Sequence, residues 1–204
     1  ALTGSTSDVK AALAGNVGAA YSGNIVLNDA DNTSIAAADI TTIESDTTGT
    51  ITVSNNIRLT GTSAQIAAAV DDVNTFSGTP TATLSDAHTL AELKAINNKL
   101  SGTLTLNDVT VALSGSSADV AAALAGTFAA GYTGTATLND NHSLAELVAI
   151  NNGTSGNITL NSNAVALTGS TSDVKAALAG NVGAAYSGNI VLNDADNTSI
   201  AAAD

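Results

Sequence analysis

Residues 1–39 (ALTGSTSDVKAALAGNVGAAYSGNIVLNDADNTSIAAAD) recur letter for letter as residues 166–204. A chain that repeats a 165-residue block without a substitution has to satisfy the same side chains twice, so its architecture is expected to be periodic. Exact copying also weighs against catalysis, because a reaction needs its site made once whereas copies multiply length and surface. Residues 1–204 are therefore read as a single continuous repeat array, an excerpt of a longer chain. The array opens in strand-like Ala1-Leu2-Thr3 and stops within an expected helix at Ala203-Asp204, with no polar cap over either terminal repeat.

A finer period shows in the helix-start signals. Ser5–Asp8, Thr62–Gln65, Thr89–Glu92, Ser116–Asp119, Ser143–Glu146 and Ser170–Asp173 each set a hydroxyl three residues before an acid or amide, the pairing that satisfies the free amides of a helix N-terminus. From Thr62 to Ser170 the starts fall 27 residues apart. Two kinds of unit alternate. One reads S-S-A-D-V-A-A-A-L-A-G from Ser116, the other S-L-A-E-L-V-A-I-N-N from Ser143. Glycine at Gly15, Gly126 and Gly180, and asparagine at Asn98 and Asn152, are expected to close the two kinds of helix in the left-handed conformation. The stretch from Asn32 to Gly61 is three residues longer and lacks a clean cap pair. One aromatic recurs per pair of units, two residues before a glycine, at Tyr21, Phe76, Tyr132 and Tyr186.

Helices of about ten residues are marginal alone in water. Their apolar stripes, Val120, Ala123 and Leu124 in one kind and Leu144, Leu147 and Val148 in the other, must lie on something. Thr50–Val53, Thr103–Leu106, Val109–Leu113, Thr135–Leu138 and Asn157–Leu160 alternate apolar and polar residues as strands with one buried face do. Leu106, Leu138 and Leu160 are expected inside and Thr103, Thr105, Thr135 and Thr137 outside. The fold expected is an α/β solenoid of stacked coils of about 27 residues, each with strand segments and one short helix. Strands stack at about 4.8 Å and helices at about 8–10 Å, so such a stack requires curvature, tilt or two strands per helix.

Eighteen acidic residues against five basic ones give a net charge of -13. That balance excludes the phosphate neutralisation on which nucleic-acid binding depends. No apolar run reaches the roughly 18 residues of a membrane span. With no cysteine there is neither a disulfide nor a thiolate metal site.

The sharpest chemical candidates are the aspartates that end a strand in alternate units, Asp29, Asp86, Asp140 and Asp194, with Asp31 and Asp196 nearby. Stacked, they would form an acidic ladder of the hard oxygen ligands that calcium prefers. Turn geometry before a helix explains the same residues without a metal, and no other cofactor is expected. His88 and His142 stand one residue before a helix cap, where a Ser/His/Asp reading is weaker than that of surface turn histidines. The pairs Thr50/Thr52, Thr81/Thr83, Thr103/Thr105 and Thr135/Thr137 suggest a threonine face able to order water, against the ordinary preference of Thr for strands. Asn32, Asn141, Asn152, Asn157 and Asn197 head glycosylation sequons.

The units L-T-G-x-x-x-D-V-x-A-A-L, G-x-x-x-L-N-D and S-L-A-E-L-x-A-I-N-N resemble the Ala/Thr/Gly/Asn/Asp-rich repeats of giant cell-surface proteins of cyanobacteria and other aquatic bacteria. The resemblance is one of repeat style along the whole chain and brings no functional residues with it. It implies an extracellular or cell-surface structural protein, not an enzyme, that forms a fibre, sheath or surface layer. Its partners would be neighbouring repeats of the same chain or further copies, with no nucleic acid and no membrane insertion. A calcium-dependent adhesin or an ice-binding module is the alternative.

Overall fold

Among the described residues, six of the seven helices begin where the hydroxyl signals stand. In the computed structural model, which describes residues 1–15, 19–180, 182–196, 198 and 200, the side chains of Ser5, Thr62, Thr89, Ser116, Ser143 and Ser170 each accept a hydrogen bond from the backbone N–H three residues on. Where the third residue is Gln65, Glu92 or Glu146, its side chain returns to the cap amide and the exchange is reciprocal. Aspartate is one methylene shorter: Asp8 and Asp173 instead accept from the cap hydroxyls of Ser5 and Ser170 at 2.8 Å. The helix of the longer stretch starts at Ala37, after Ala36, which offers no side-chain cap. Helix ends differ from expectation. The Gly15, Gly126 and Gly180 helices end on right-handed Ala14, Ala125 and Ala179, and Asn98 and Asn152 lie inside helices that run to extended Leu100 and Thr154. Among the described residues only Asn32 and Gly61 have positive φ, so no left-handed cap forms at those glycines and asparagines.

The chain divides into two compact units, residues 1–108 with 126–129, and residues 109–125 with 130–204. In the first, the order is β1 (Leu2–Gly4), α1 (Thr6–Leu13), β2 (Ile25–Leu27), β3 (Ser34–Ala36), α2 (Ala37–Ser45), β4 (Ile51–Val53), β5 (Arg58–Gly61), α3 (Ser63–Asp72), β6 (Thr75–Phe76), β7 (Thr81–Leu84), α4 (Leu90–Lys99) and β8 (Leu104–Thr105). Two parallel sheets result, β1-β2-β4-β6 and β3-β5-β7-β8. The second unit contains β9 (Leu113–Gly115), α5 (Ser117–Leu124), β10 (Ala136–Leu138), α6 (Leu144–Gly153), β11 (Ile158–Thr159), β12 (Leu167–Gly169), α7 (Thr171–Leu178) and β13 (Ile190–Leu192). Its sheets are β9-β10-β11 and β12-β13, also parallel.

The expected α/β solenoid is thereby corrected. Among the described residues the structure has seven helices and four small parallel sheets, none wider than four strands, in place of one sheet running through the chain. The physical reason lies in the two spacings. A crossover such as β7-α4-β8 or β10-α6-β11 advances its sheet by one strand, about 4.8 Å, while the helical layer advances by one helix, roughly 8–10 Å. With these unequal steps the regular strands among the described residues group into sheets of two to four, and beyond β8 and β11 pairing continues only as the single bridges Leu104↔Phe128 and Ile158↔Val182. The expected strand at Val109–Leu113 forms only from Leu113 onward, and Thr50, Thr103, Thr135 and Asn157 lie just outside their strands. The expected helix at Ala203-Asp204 lies outside the described residues.

Alternation decides what each strand buries. In β10 Ala136 and Leu138 are buried and Thr137 is exposed; Thr103, Thr105 and Thr135 are likewise exposed. Leu104 and Ile158 are fully buried, and Leu106 and Leu160, expected inside, are only partly covered because both follow the last paired residue of a two-residue strand. On the helices Val120, Ala123, Leu124, Leu147 and Ile150 are buried, whereas Leu144 and Val148 are half-buried. Within the first unit α1, α2, α3 and α4 pack in succession, and Lys10 pairs with Asp39 from α1 to α2. Each fully buried Leu or Ile contributes about 1.5–3 kcal/mol. Replacing Leu147 by Ala is expected to destabilise the chain by about 2–5 kcal/mol, read from urea denaturation; a loss below about 0.5 kcal/mol would contradict its place in the core.

Candidate functional site

Each of the four candidate aspartates ends at the start of a helix from the neighbouring repeat. Asp29 accepts from Thr6 N–H at 3.1 and 2.9 Å and from Thr6 Oγ1 at 2.6 Å. Asp194 makes the same three contacts with Thr171, at 3.1, 3.1 and 2.6 Å. Asp86 accepts from Ser63 N–H and Asp140 from Ser117 N–H, both at 2.7 Å. The sequence separation is 23 residues in every case. Thr6, Ser63, Ser117 and Thr171 are the first residues of α1, α3, α5 and α7, so each helix end receives two acceptors. Its own hydroxyl takes the third amide and the next repeat's aspartate takes the first. Both fill needs that every helix N-terminus has, and the carboxylate also meets the positive end of the helix dipole. The hydrogen bonds from Thr171 hold the Asp194 carboxyl below the usual carboxylate range.

The arrangement brings each aspartate to a backbone amide and does not gather the carboxylates into a ligand set. Among the described residues no group of three or more His, Asp or Glu side chains is placed to hold a metal ion. Asp31, a second acid of the expected ladder, accepts from Asn56 N–H at 2.9 Å.

In alternate repeats a serine occupies the first helical position and draws in one more acid. Ser63 Oγ donates to Glu92 at 2.9 Å and Ser117 Oγ donates to Glu146 at 3.0 Å, and both serines are buried. Burial pushes the Glu92 carboxyl up, but the bonds from Thr89 and Ser63 outweigh it and leave it below its ordinary value. For Glu146 the Ser143 amide leads, with the Ser143 and Ser117 hydroxyls adding to it against burial, and the result is again a lowered value. These buried serines escaped the sequence reading. A Ser directly after a cap residue carries no local signal, and only the 29-residue separation between partners exposes the pairing.

Both histidines overturn the expectation of surface positions: His88 and His142 are each 3% exposed. His142 Nε2 lies 3.1 Å from Tyr186 Oη, and that hydroxyl donates to the Val165 carbonyl. With its proton committed, Tyr186 accepts from the ring, which fixes the Nε2–H tautomer of His142. Tyr132 makes the matching donation to Val111 at 2.7 Å, so at these two positions the recurring aromatic anchors a strand-entry loop. Desolvation lowers the basicity of both histidines; Asp108, Glu92 and Asp86 oppose it at His88, and Glu146 and Asp140 at His142. No Ser–His–acid relay is assembled at His142, because its ring bonds a tyrosine while Ser117 donates to a glutamate.

Hydroxyl rows do form on the outer sheet faces. Thr60, Thr83 and Thr105 pair in register across β5, β7 and β8, and Ser114, Thr137 and Thr159 across β9, β10 and β11. Each row is one hydroxyl wide: Thr81 is paired with Arg58, and Thr103 and Thr135 precede their strands. Thr52 belongs to the other sheet of its unit, between Val26 and Thr75. The sequon residues Asn32, Asn141, Asn152 and Asn157 are exposed; Asn197 lies outside the described residues. No helix among the described residues is long and apolar enough to cross a membrane.

Compared with known proteins, the chain matches no family model, no curated protein and no solved structure.

The histidines give the site a pH signature. A lowered folded value means that the neutral ring is the stabilised form, so its contribution is complete above the ordinary value of 6.5 and is lost as pH falls through the folded value. Glu92 and Glu146 contribute above about 4.5 and lose that contribution further down. Urea midpoints between pH 7.5 and 5 are expected to fall for the parent chain and to fall less for His142→Gln, which keeps a donor for Tyr186. Equal slopes for the two chains would contradict the assignment.

Proposed function

We propose that this chain is a structural repeat protein of the cell exterior, a building block of a fibre, sheath or surface layer whose partners are neighbouring repeats or further copies of itself. One observation carries the reading: the two identical segments form the same strand, helix and strand in the same register, although Ile35 goes on into β3 while Ile200 lies outside any strand. Leu-Thr-Gly forms β1 and β12, Thr-Ser-Asp-Val-Lys-Ala-Ala-Leu forms α1 and α7, and Ile-Val-Leu forms β2 and β13. The registers Leu2↔Ile25 and Leu167↔Ile190 agree, as do the contacts of Asp29 and Asp194. A segment that folds alike twice is suited to being copied many times.

The engagement of the polar side chains supports the same reading. The strand-end aspartates, the glutamates of the reciprocal caps, the buried serines and Tyr186 are bonded to backbone or to each other in ways that hold repeats together. The acidic surface keeps such material soluble and repels like-charged neighbours. The likeness in repeat style to giant bacterial surface proteins points to the outside of the cell.

Electron micrographs of the native material, combined with its intact mass, test the proposal. The expected result is filaments or layers built from a chain in which the 165-residue block recurs. A soluble native protein that stays monomeric would contradict it, and assembly that appears only on adding calcium would favour the adhesin.

A further inference from the structure

One pair of repeats differs from the others in where its charges stand. Ahead of the recurring Leu-Thr-Gly or Leu-Ser-Gly the chain has Ala1, Ala112 and Ala166, and in the fourth instance Arg58, its single arginine. The helix that follows Arg58 ends on Asp71-Asp72, where the equivalent helices give way to Ala14-Gly15, Ala125-Gly126 and Ala179-Gly180. The helix before it carries Glu44 where α4 and α6 carry Asn97 and Asn151. Strand pairing and helix capping explain none of these changes, since the other repeats pair and cap without them.

The acids stand against a local cost. α2 follows β3 directly and α3 follows β5, and because β3 and β5 are parallel the two packed helices run the same way. Glu44, Asp71 and Asp72 therefore gather at the negative ends of two helix dipoles, whereas α1, α4 and α7 carry lysine in the last turn. Burial pushes the Asp72 carboxyl above its ordinary value, the Thr41 hydroxyl opposing it and the Asp71 charge adding to it, and Asp72 Oδ2 is buried with no hydrogen-bond partner. Glu44 and Asp71 are exposed, and among the described residues no cation pairs with any of the three. Between the two helices runs an open, mostly apolar groove walled by small side chains, among them Ala38, Thr42 and Ser45 of α2 and Ala64 and Ala68 of α3.

The opposite charge faces elsewhere. Leu59 is fully buried, so Arg58 and Thr60 point away from the core, and Arg58 is exposed with no ion pair among the described residues. Its neighbours in register are Ser34 and Thr81, and no strand of the β3-β5-β7-β8 sheet holds a carboxylate. Lys10 is paired with Asp39, and Lys99 complements the dipole of its own helix.

We propose that this sheet face docks on a second copy of the chain, with Arg58 lying in the α2–α3 groove of the neighbour and its guanidinium held by the neighbour's Glu44 and Asp71 carboxylates. The arginine stem covers the apolar walls while the planar fork meets the acids. The inference rests on the building-block reading and supplies the contact between neighbouring arrays. Face and groove are different surfaces of one chain, so every copy offers both and the contact is heterologous, able to extend into a layer or bundle. A single exposed ion pair is weak, and its recurrence along an array gives it strength.

With no cysteine of its own, the chain allows trapping through single introduced thiols. Thr81→Cys places one beside Arg58, and Ala68→Cys places one in the groove, a turn before Asp71. Mixed at low salt in a thiol redox buffer, the two variants are expected to form the mixed disulfide at least about fivefold more readily than at high salt, where exposed charges are screened. Arg58→Ala, which installs the residue of the equivalent positions, is expected to abolish that excess, and Lys99→Ala to leave it unchanged. Arg58→Glu is expected to abolish it too, and Glu44→Lys with Asp71→Lys on the groove side to restore it. The proposal is overturned if no salt-sensitive excess appears, if Arg58→Ala keeps it, if Lys99→Ala removes it, or if the reversed charges fail to restore it. Filaments in native material without this trapping would remove the contact and leave the building-block reading standing. Salt-sensitive trapping of a protein whose native material forms no fibre or layer would keep the contact and remove that reading.

Discussion

The first amide of a helix has no partner within its own helix, and in this chain a carboxylate 23 residues downstream supplies one. That bond links three levels of the structure. It completes the cap begun by the helix's own hydroxyl, fixes the end of the following strand, and sets the turn from which the next helix starts. At α1, α3, α5 and α7 the acceptor comes from the next repeat, so these four helices are not satisfied by their own repeat alone. Cooperation between neighbours is thus required by backbone hydrogen bonding as much as by burial.

Close backbone approach is the second constraint, and it explains a composition with little bulk. Gly156 brings its α-carbon so near the Gly134 carbonyl that a Cβ would lie 2.3 Å from the oxygen, and Gly134 stands in the same relation to Val111 at 1.9 Å. Successive strand-entry loops rest on one another with nothing between. Small residues such as Ala69, Ala123 and Ala177 fill the helical layer, all of them fully buried. Thin layers of this kind bury many contacts without a large aromatic core, which suits a chain that is 2% aromatic.

Much of this was legible in the sequence. The six hydroxyl caps, the outward threonines and the inward Leu138 and Leu147 follow from local rules, and local rules govern them in the structure. What was not legible depends on distance along the chain. Nothing near Asp29 indicates whether its carboxylate faces a cation or the amide of Thr6. His142 looks like a surface residue until Tyr186, 44 residues away, arrives over it. The single solenoid failed for a similar reason: periodic strands and helices are visible in sequence, but the point at which two unequal spacings force a sheet to end is a property of the packed layers. Caps at Gly15 and Asn98 misled because a residue that tolerates the left-handed conformation does not impose it.

The claim at the centre is that strand-end aspartates are structural acceptors joining one repeat to the next. Urea denaturation of the parent chain and of Asp29→Ala, each in excess EDTA and in millimolar calcium, tests it most directly. Loss of the three Thr6 contacts should lower stability by about 1–3 kcal/mol in both solutions alike. A variant as stable as the parent in EDTA, and weaker only when calcium is present, would show the carboxylate to be a cation ligand and contradict the account.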